Sequence, residues 1–315
     1  MGSEKVTYRT LNAAELLDFP FQPRETVLEP WLCTQSLNLV HAWRGVGKTH
    51  FSLGVAYAIA SGGSFLKWKA PKARPVLYID GEMPGEVLKE RLSRMAQDAE
   101  KDIAEPELLR FLTPDAQPGP VPNLSSAESQ AALEPLLGNA QLIIIDNLSC
   151  LAGGSESEND AESWSPISTW ALKMRKQGRS VLFVHHSGKS GHQRGTSKKE
   201  DILDTVLNLK RPADYEPSQG ACFEIQFEKA RSLAGEETKP FEARLCEIEG
   251  RQTWTMQDLE DSTFERVIAL AKLKLTGKKI AEELHVHEST VCRHLQSARA
   301  QGLLKGGNDD TGWGR

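Results

Sequence analysis

An α/β fold with a mainly parallel sheet, followed by a small all-α helix-turn-helix domain, is predicted by three observations. Short apolar runs ending in acids or histidines alternate with helical stretches, one such run opens into a glycine-broken loop, and residues 264–305 keep a helical apolar spacing. A chain of 315 residues with 39% hydrophobic content can bury one large core and a small appended module. The expected organisation is an N-terminal extension (1–30), an α/β core (31–250), a linker (251–263), the helix-turn-helix domain (264–305) and a flexible tail (306–315).

The glycine-broken loop lies in LVHAWRGVGKTHFSL, residues 39–53. A strand-like run leads into Gly45, Val46, Gly47, Lys48, Thr49 and His50, and an amphipathic helical segment follows, stopped by Ser61, Gly62 and Gly63. Gly45 and Gly47 let successive backbone N–H groups turn inward to cradle phosphate. Lys48 can reach β- and γ-phosphates, and the Thr49 hydroxyl can ligate Mg²⁺ at a helix N-terminus. The pattern G-x-x-x-x-G-K-[ST] is met except at its first position, which is Ala42, followed by the bulky Trp43 and Arg44.

Three further runs read as strands of the same sheet. PVLYID (75–80) ends in a turn carrying Asp80, Glu82 and Pro84, and residues 86–99 continue as an amphipathic helix. QLIIID (141–146) ends in Asp146, and SVLFV (180–184) leads into His185 and His186. Because functional groups of a parallel sheet gather at the carboxyl ends of its strands, Lys48, Glu82, Asp146 and His186 are expected on one edge.

At that edge Asp146 would hold Mg²⁺ opposite Thr49, the bland alternative being a cap on the next helix. Glu82 is the candidate to polarise an attacking water, with Asp80 and Glu86 competing for the role. One of His185 and His186 can sense a γ-phosphate while the other, pointing to the opposite side of the strand, faces the core. Residues 187–211 place Lys189, Arg194, Lys198 and Lys199 among glycines and serines, and read as a mobile basic loop that can follow a nucleic-acid backbone or simply be solvated. FEIQFEKARS (223–232) then alternates as a strand and ends in Lys229 and Arg231.

Taken in order, AWRGVGKT, YIDGEMP, LIIIDNLS, VHHSGKSGHQRGTS and FEKARS resemble the RecA-like ATPase core of the RepA-type plasmid replicative helicases, over residues 32–249. The resemblance implies that Glu82 is the catalytic base and His186 the phosphate sensor. The loop around residues 194–197 would line a central channel, and Lys229 with Arg231 would reach a neighbour's site in trans. It further implies a homo-oligomer, most plausibly a hexamer, that uses MgATP as a DNA-dependent ATP hydrolase and replicative helicase. The alternative is an ATP-dependent regulator or loader that hydrolyses ATP without unwinding.

In the tail, residues 264–274, 277–284 and 289–301 fit three helices, with a turn at 286–288 and Ser289 as the cap of the third. Ala281 is small where helices cross, and Val286, Val291 and Leu295 fill the core beneath. The exposed side of the third helix would carry Ser289, Thr290, Arg293, His294 and Ser297 toward DNA, although such trihelical units also dock proteins, including a replication initiator. The net charge is −5, yet residues 264–305 hold eight Lys and Arg against four Asp and Glu, a local +4 that leaves −9 elsewhere. Bulk nucleic-acid coating is thereby excluded, and a local polyanion contact is favoured.

Cys33, Cys150, Cys222, Cys246 and Cys292 are odd in number and never spaced as C-x-x-C, which suggests reduced thiols rather than a zinc site or disulfides. The sequence shows neither a long apolar run nor a secretory leader pattern, so a cytoplasmic address without membrane contact is expected.

Overall fold

The computed structural model describes residues 8–153, 161–187, 201–212, 215–216 and 219–304. The short helix α1 (Ala13–Asp18) is capped by Asn12 and buries none of its residues. It leads into a small hairpin of β1 (Thr26–Leu28) and β2 (Leu32–Cys33). Val27 and Leu28 are fully buried, so the last part of the expected N-terminal extension belongs to the core.

The strand β3 (Leu37–Ala42) precedes the helix α2 (Lys48–Ser61). A second small hairpin, β4 (Ser64–Phe65) and β5 (Trp68–Lys69), is followed by β6 (Val76–Asp80), α3 (Gly85–Asp98), β7 (Leu109–Leu112), α4 (Ala127–Leu137) and β8 (Leu142–Asp146). Then come α5 (Leu148–Leu151), α6 (Ala161–Lys176), β9 (Ser180–His186) and β10 (Thr205–Lys210). The strands β11 (Cys222–Ala230), β12 (Phe241–Ile248) and β13 (Arg251–Asp258) close the sheet before α7 (Leu259–Lys272), α8 (Gly277–Leu284) and α9 (Glu288–Ala300).

Among the described residues nine strands form one sheet in the order β13-β12-β11-β10-β3-β9-β8-β6-β7. The six from β10 to β7 are mutually parallel, and β11, β12 and β13 extend the sheet as an antiparallel meander. Alternation along the strands feeds two cores. Val40, Tyr78, Ile144 and Val184 pack on the side of α2 and α3. Leu39, Ile79, Ile145 and Phe183 pack on the side of α4, α5 and α6. Both faces are covered, so the strands read as continuous apolar runs, each fully buried aliphatic side chain contributing roughly 1.5–3 kcal/mol.

Three expectations are corrected. Residues 251–258 of the expected linker are β13, paired along its whole length with β12, and α7 begins at Leu259. The expected loop 187–211 contains β10, whose residues Thr205–Leu209 are buried against β3. The segment after the phosphate loop is not amphipathic: every residue from Phe51 to Ser61 is buried. A helix without a polar face needs cover all round, and the two small hairpins supply it, with Phe51 meeting Phe65 at 5.6 Å and Trp68 at 5.7 Å edge-on.

The helices α7, α8 and α9 enclose a separate small core of Val267, Ile280, Ala281, Leu284 and Val291. A three-residue turn joins α8 to α9, opened by His285 at φ 51°. His287, not Ser289, caps α9 by accepting the Ser289 N–H. His294 is also corrected: it is 5% exposed, with its ring 5.7 Å from that of Phe264, and does not face solvent as expected. Ser289 and Arg293 are exposed and Thr290 is half-buried. The unit is fastened to the sheet by Arg266 on α7, which pairs with the buried Glu242 of β12 and, at 3.8 Å, with Glu224 of β11.

Candidate nucleotide site

The expected edge exists. A cleft of about 460 Å³ at the carboxyl ends of the parallel strands is lined by residues Gly45 to His50, by Glu82 and Met83, by Asp146 and Asn147, and by His186. Four chain segments reach it because β3, β9, β8 and β6 are adjacent and parallel, with Ala42 opposite His186 and Asp80 opposite Asp146 in register.

Gly47 has φ 123°, and a Cβ there would lie 3.1 Å from the Phe223 ring, so loop conformation and close approach both demand glycine. Ala42, by contrast, is the regular last residue of β3, paired with His186 and Leu209. No glycine is required at that position, and the departure from the motif leaves the loop intact. Lys48 is 6% exposed, and its Nζ donates to the carbonyls of Ala42 at 3.1 Å and Trp43 at 3.2 Å. Burial pushes its pKa down to about 8, against the opposing pull of Asp146 and Glu82.

Asp146 is buried and its carboxyl is pushed up by burial, an effect opposed by hydrogen bonds from Tyr78, Thr49 and Ser52. The Tyr78 hydroxyl donates to Oδ2, and the Ser52 hydroxyl lies 2.7 Å from the Tyr78 oxygen. Thr49 and Asp146 thus form a pair of hard oxygen donors beside the phosphate loop, a set that suits Mg²⁺.

Asp80, Glu82 and Glu86 differ in where their carboxylates lie. Asp80 is 1% exposed and turned into its own loop, accepting from the Met83 N–H at 3.1 Å and the Thr113 hydroxyl at 3.3 Å. Burial pushes it up to about 6. Glu82 is exposed and lines the cleft, whereas Glu86 does not. His186 lines the cleft, and His185 is fully buried. His50 also lines it, with its pKa pushed down to about 4 by burial and the nearby Arg91.

Lys229 and Arg231 are not brought to this cleft. Lys229 pairs with Val206 at the start of β10, which places it at the opposite, amino-terminal edge of the parallel strands. Arg231 lines a recess there with Arg24, Arg175, Lys176 and Asp204, and donates to the Asp201 carbonyl. Lys189, Arg194, Lys198 and Lys199 lie outside the described residues.

Three site residues escaped sequence reasoning. Tyr215 and Arg91 line the cleft, and the Arg211 guanidinium sits 4.5 Å over the Tyr215 ring while donating to the Gly45 carbonyl at 2.8 Å. Arg211 and Tyr215 follow β10, so recognising TVLNLK as a strand would have put the next residues at the same edge. Arg91 carried no signal beyond its place on an amphipathic helix.

A family model described as an AAA domain matches residues 3–192, well over half of the chain. The chain belongs to the AAA domain family. Among solved structures, this AAA domain is similar to a KaiC-like protein from the hyperthermophilic archaeon Pyrococcus horikoshii OT3, at 13% identity and a TM-score of 0.52, over 73% of this chain and 93% of that one. At that identity the likeness speaks for the fold. No curated protein matches the sequence. Phosphate loop, parallel sheet and family together identify a RecA-like P-loop ATPase core.

Proposed function

We propose that this protein is a DNA-dependent ATPase that works as a homo-oligomeric ring, most plausibly a hexameric replicative helicase of a plasmid or mobile element. The observation that carries the reading is the convergence of Lys48, Thr49, Glu82, Asp146 and His186 on one cleft. The phosphate loop and Lys48 bind and orient the triphosphate of ATP. Thr49 and Asp146 would hold Mg²⁺, which would supply positive charge to offset that of the triphosphate. Glu82 orients the attacking water and accepts its proton, and His186 registers loss of the γ-phosphate at the end of β9.

Lys229 and Arg231 lie on the far edge of the sheet, which supports a role in a neighbouring subunit's site rather than their own. Arg24, Arg175 and Lys176 make that edge strongly cationic, which supports a partner bringing phosphate to it. Residues 188–200 connect His186 to β10 and carry the cations expected to follow single-stranded DNA. The tail module would contact double-stranded DNA through Ser289, Thr290 and Arg293, with His294 serving its core.

One observation favours the second reading, an ATP-dependent DNA-binding regulator or loader. The three-helix unit is held on β11 and β12 by Arg266, and β11 begins beside the cleft residues Gly220 and Ala221, which supports a coupling of nucleotide state to that unit. ATP turnover with and without single-stranded DNA, for wild type and Lys48→Ala, together with native mass and strand displacement, tests both. Turnover raised by single-stranded DNA in a ring that separates strands supports the helicase. Turnover without displacement supports the regulator, and no turnover by wild type overturns both.

A further inference from the structure

Glu82 sits on an exposed turn, and a free glutamate there would sample many rotamers. Among the described residues its carboxylate accepts one side-chain hydrogen bond, from the Cys150 thiol, with Sγ 3.2 Å from Oε2. Cys150 lies on α5, the single helical turn that follows Asp146 and Asn147 directly, and its own N–H is fixed by the Asn147 side chain at 3.0 Å. The two segments are locked together. The Gly81 N–H donates to the Asp146 carbonyl at 2.8 Å, and a Cβ on Gly81 would lie 3.0 Å from both the Cys150 Cβ and the Leu151 Cγ. The thiol therefore stands on the same rigid piece as the metal-holding carboxylate.

We propose that Cys150 is a positioning residue, its S–H holding one oxygen of Glu82 and so leaving the second oxygen fixed for the attacking water. The inference rests on the reading of Glu82 as the base. Burial and the Glu82 carboxylate push the thiol up to about 12, so it remains a protonated donor at every working pH rather than a nucleophile. A base aimed by one donor loses turnover, not substrate affinity, when that donor is removed.

The test is steady-state ATP hydrolysis by the full chain, with ATP binding and thermal melting measured on each variant. Cys150→Ala is expected to lower kcat roughly fivefold to tenfold with KM and binding unchanged, the loss typical of one ordinary hydrogen bond, since a thiol is a weak donor. Cys150→Ser keeps a donor and is expected to recover most of that rate. In a Glu82→Gln background, Cys150→Ala is expected to remove nothing further, since there is no base left to aim. Wild-type kcat in Cys150→Ala, a loss that Ser does not recover, or an equal further loss in the Glu82→Gln background would each overturn the proposal. Full turnover by Glu82→Gln would instead overturn the assignment of the base itself.

Discussion

Removing the Arg266 guanidinium should loosen the tail unit from the sheet by a measurable and recoverable amount. Arg266 is 13% exposed, and its partners Glu242 and Glu224 are 3% and 18% exposed, so Arg266→Met leaves a buried carboxylate without its main counter-charge. Breaking one side of a buried pair costs about 3–5 kcal/mol. Arg244, 3.4 Å from Glu242 and 36% exposed, offsets a part, which leaves about 2–3 kcal/mol, or a rise of roughly 30- to 160-fold in the undocked population. Native-state hydrogen exchange on the amides of β12, β13 and α7 reads that population directly. Adding Glu242→Gln to Arg266→Met removes the stranded charge and should return most of the protection. Unchanged exchange in the single variant, or a double variant as loose as the two singles summed, would refute the reasoning.

Three further outcomes follow from the cleft. Lys48, near 8 in the free protein, loses its ammonium as pH rises through that value while His50, near 4, stays neutral. The charged fraction drops about tenfold from pH 7 to pH 9, so the Kd for a non-hydrolysable ATP analogue should rise about tenfold, with proton uptake on binding. A flat wild-type profile would contradict the assignment, and Lys48→Arg serves as the flat control. Gly47→Ala, forced to φ 123° with its Cβ 3.1 Å from Phe223, should cost roughly 1–3 kcal/mol in denaturant unfolding and abolish nucleotide binding; wild-type stability would argue against the loop geometry. Tyr78→Phe withdraws the hydroxyl that donates to Asp146 and should raise the Mg²⁺ concentration needed for half-maximal analogue binding several-fold, equal to about 1–2 kcal/mol. An unchanged Mg²⁺ titration would remove Tyr78 from the metal site.

The cleft was legible where chemistry coincides with short-range pattern. The phosphate loop, the acids at the ends of VLYID and LIIID, and the histidines after VLFV each sit at a strand end, and strand ends of a parallel sheet share an edge. What stayed hidden depends on pairing between distant segments. β13 reads as a polar linker because residues 251–258 face solvent for much of their length and gain their order from β12. β10 was obscured by the cations preceding it. His294 looked like a surface donor because a histidine against Phe264 is set by helix crossing, not by its own polarity. The different positions of Asp80 and Glu82 likewise depend on the fold: two residues apart, one turns back into its loop and the other faces the cleft.

The helix that opens at Lys48 runs straight into the interior with no wet side. Such an element can neither tilt nor slide without tearing the core on its side of the sheet, so the floor under the phosphates is a fixed anvil. Any shape change between nucleotide states must then be carried by the opposite walls: α3 with Arg91, the strand end at His186, and the stacked pair Arg211 and Tyr215. Work done by this protein would leave the cleft through those three exits.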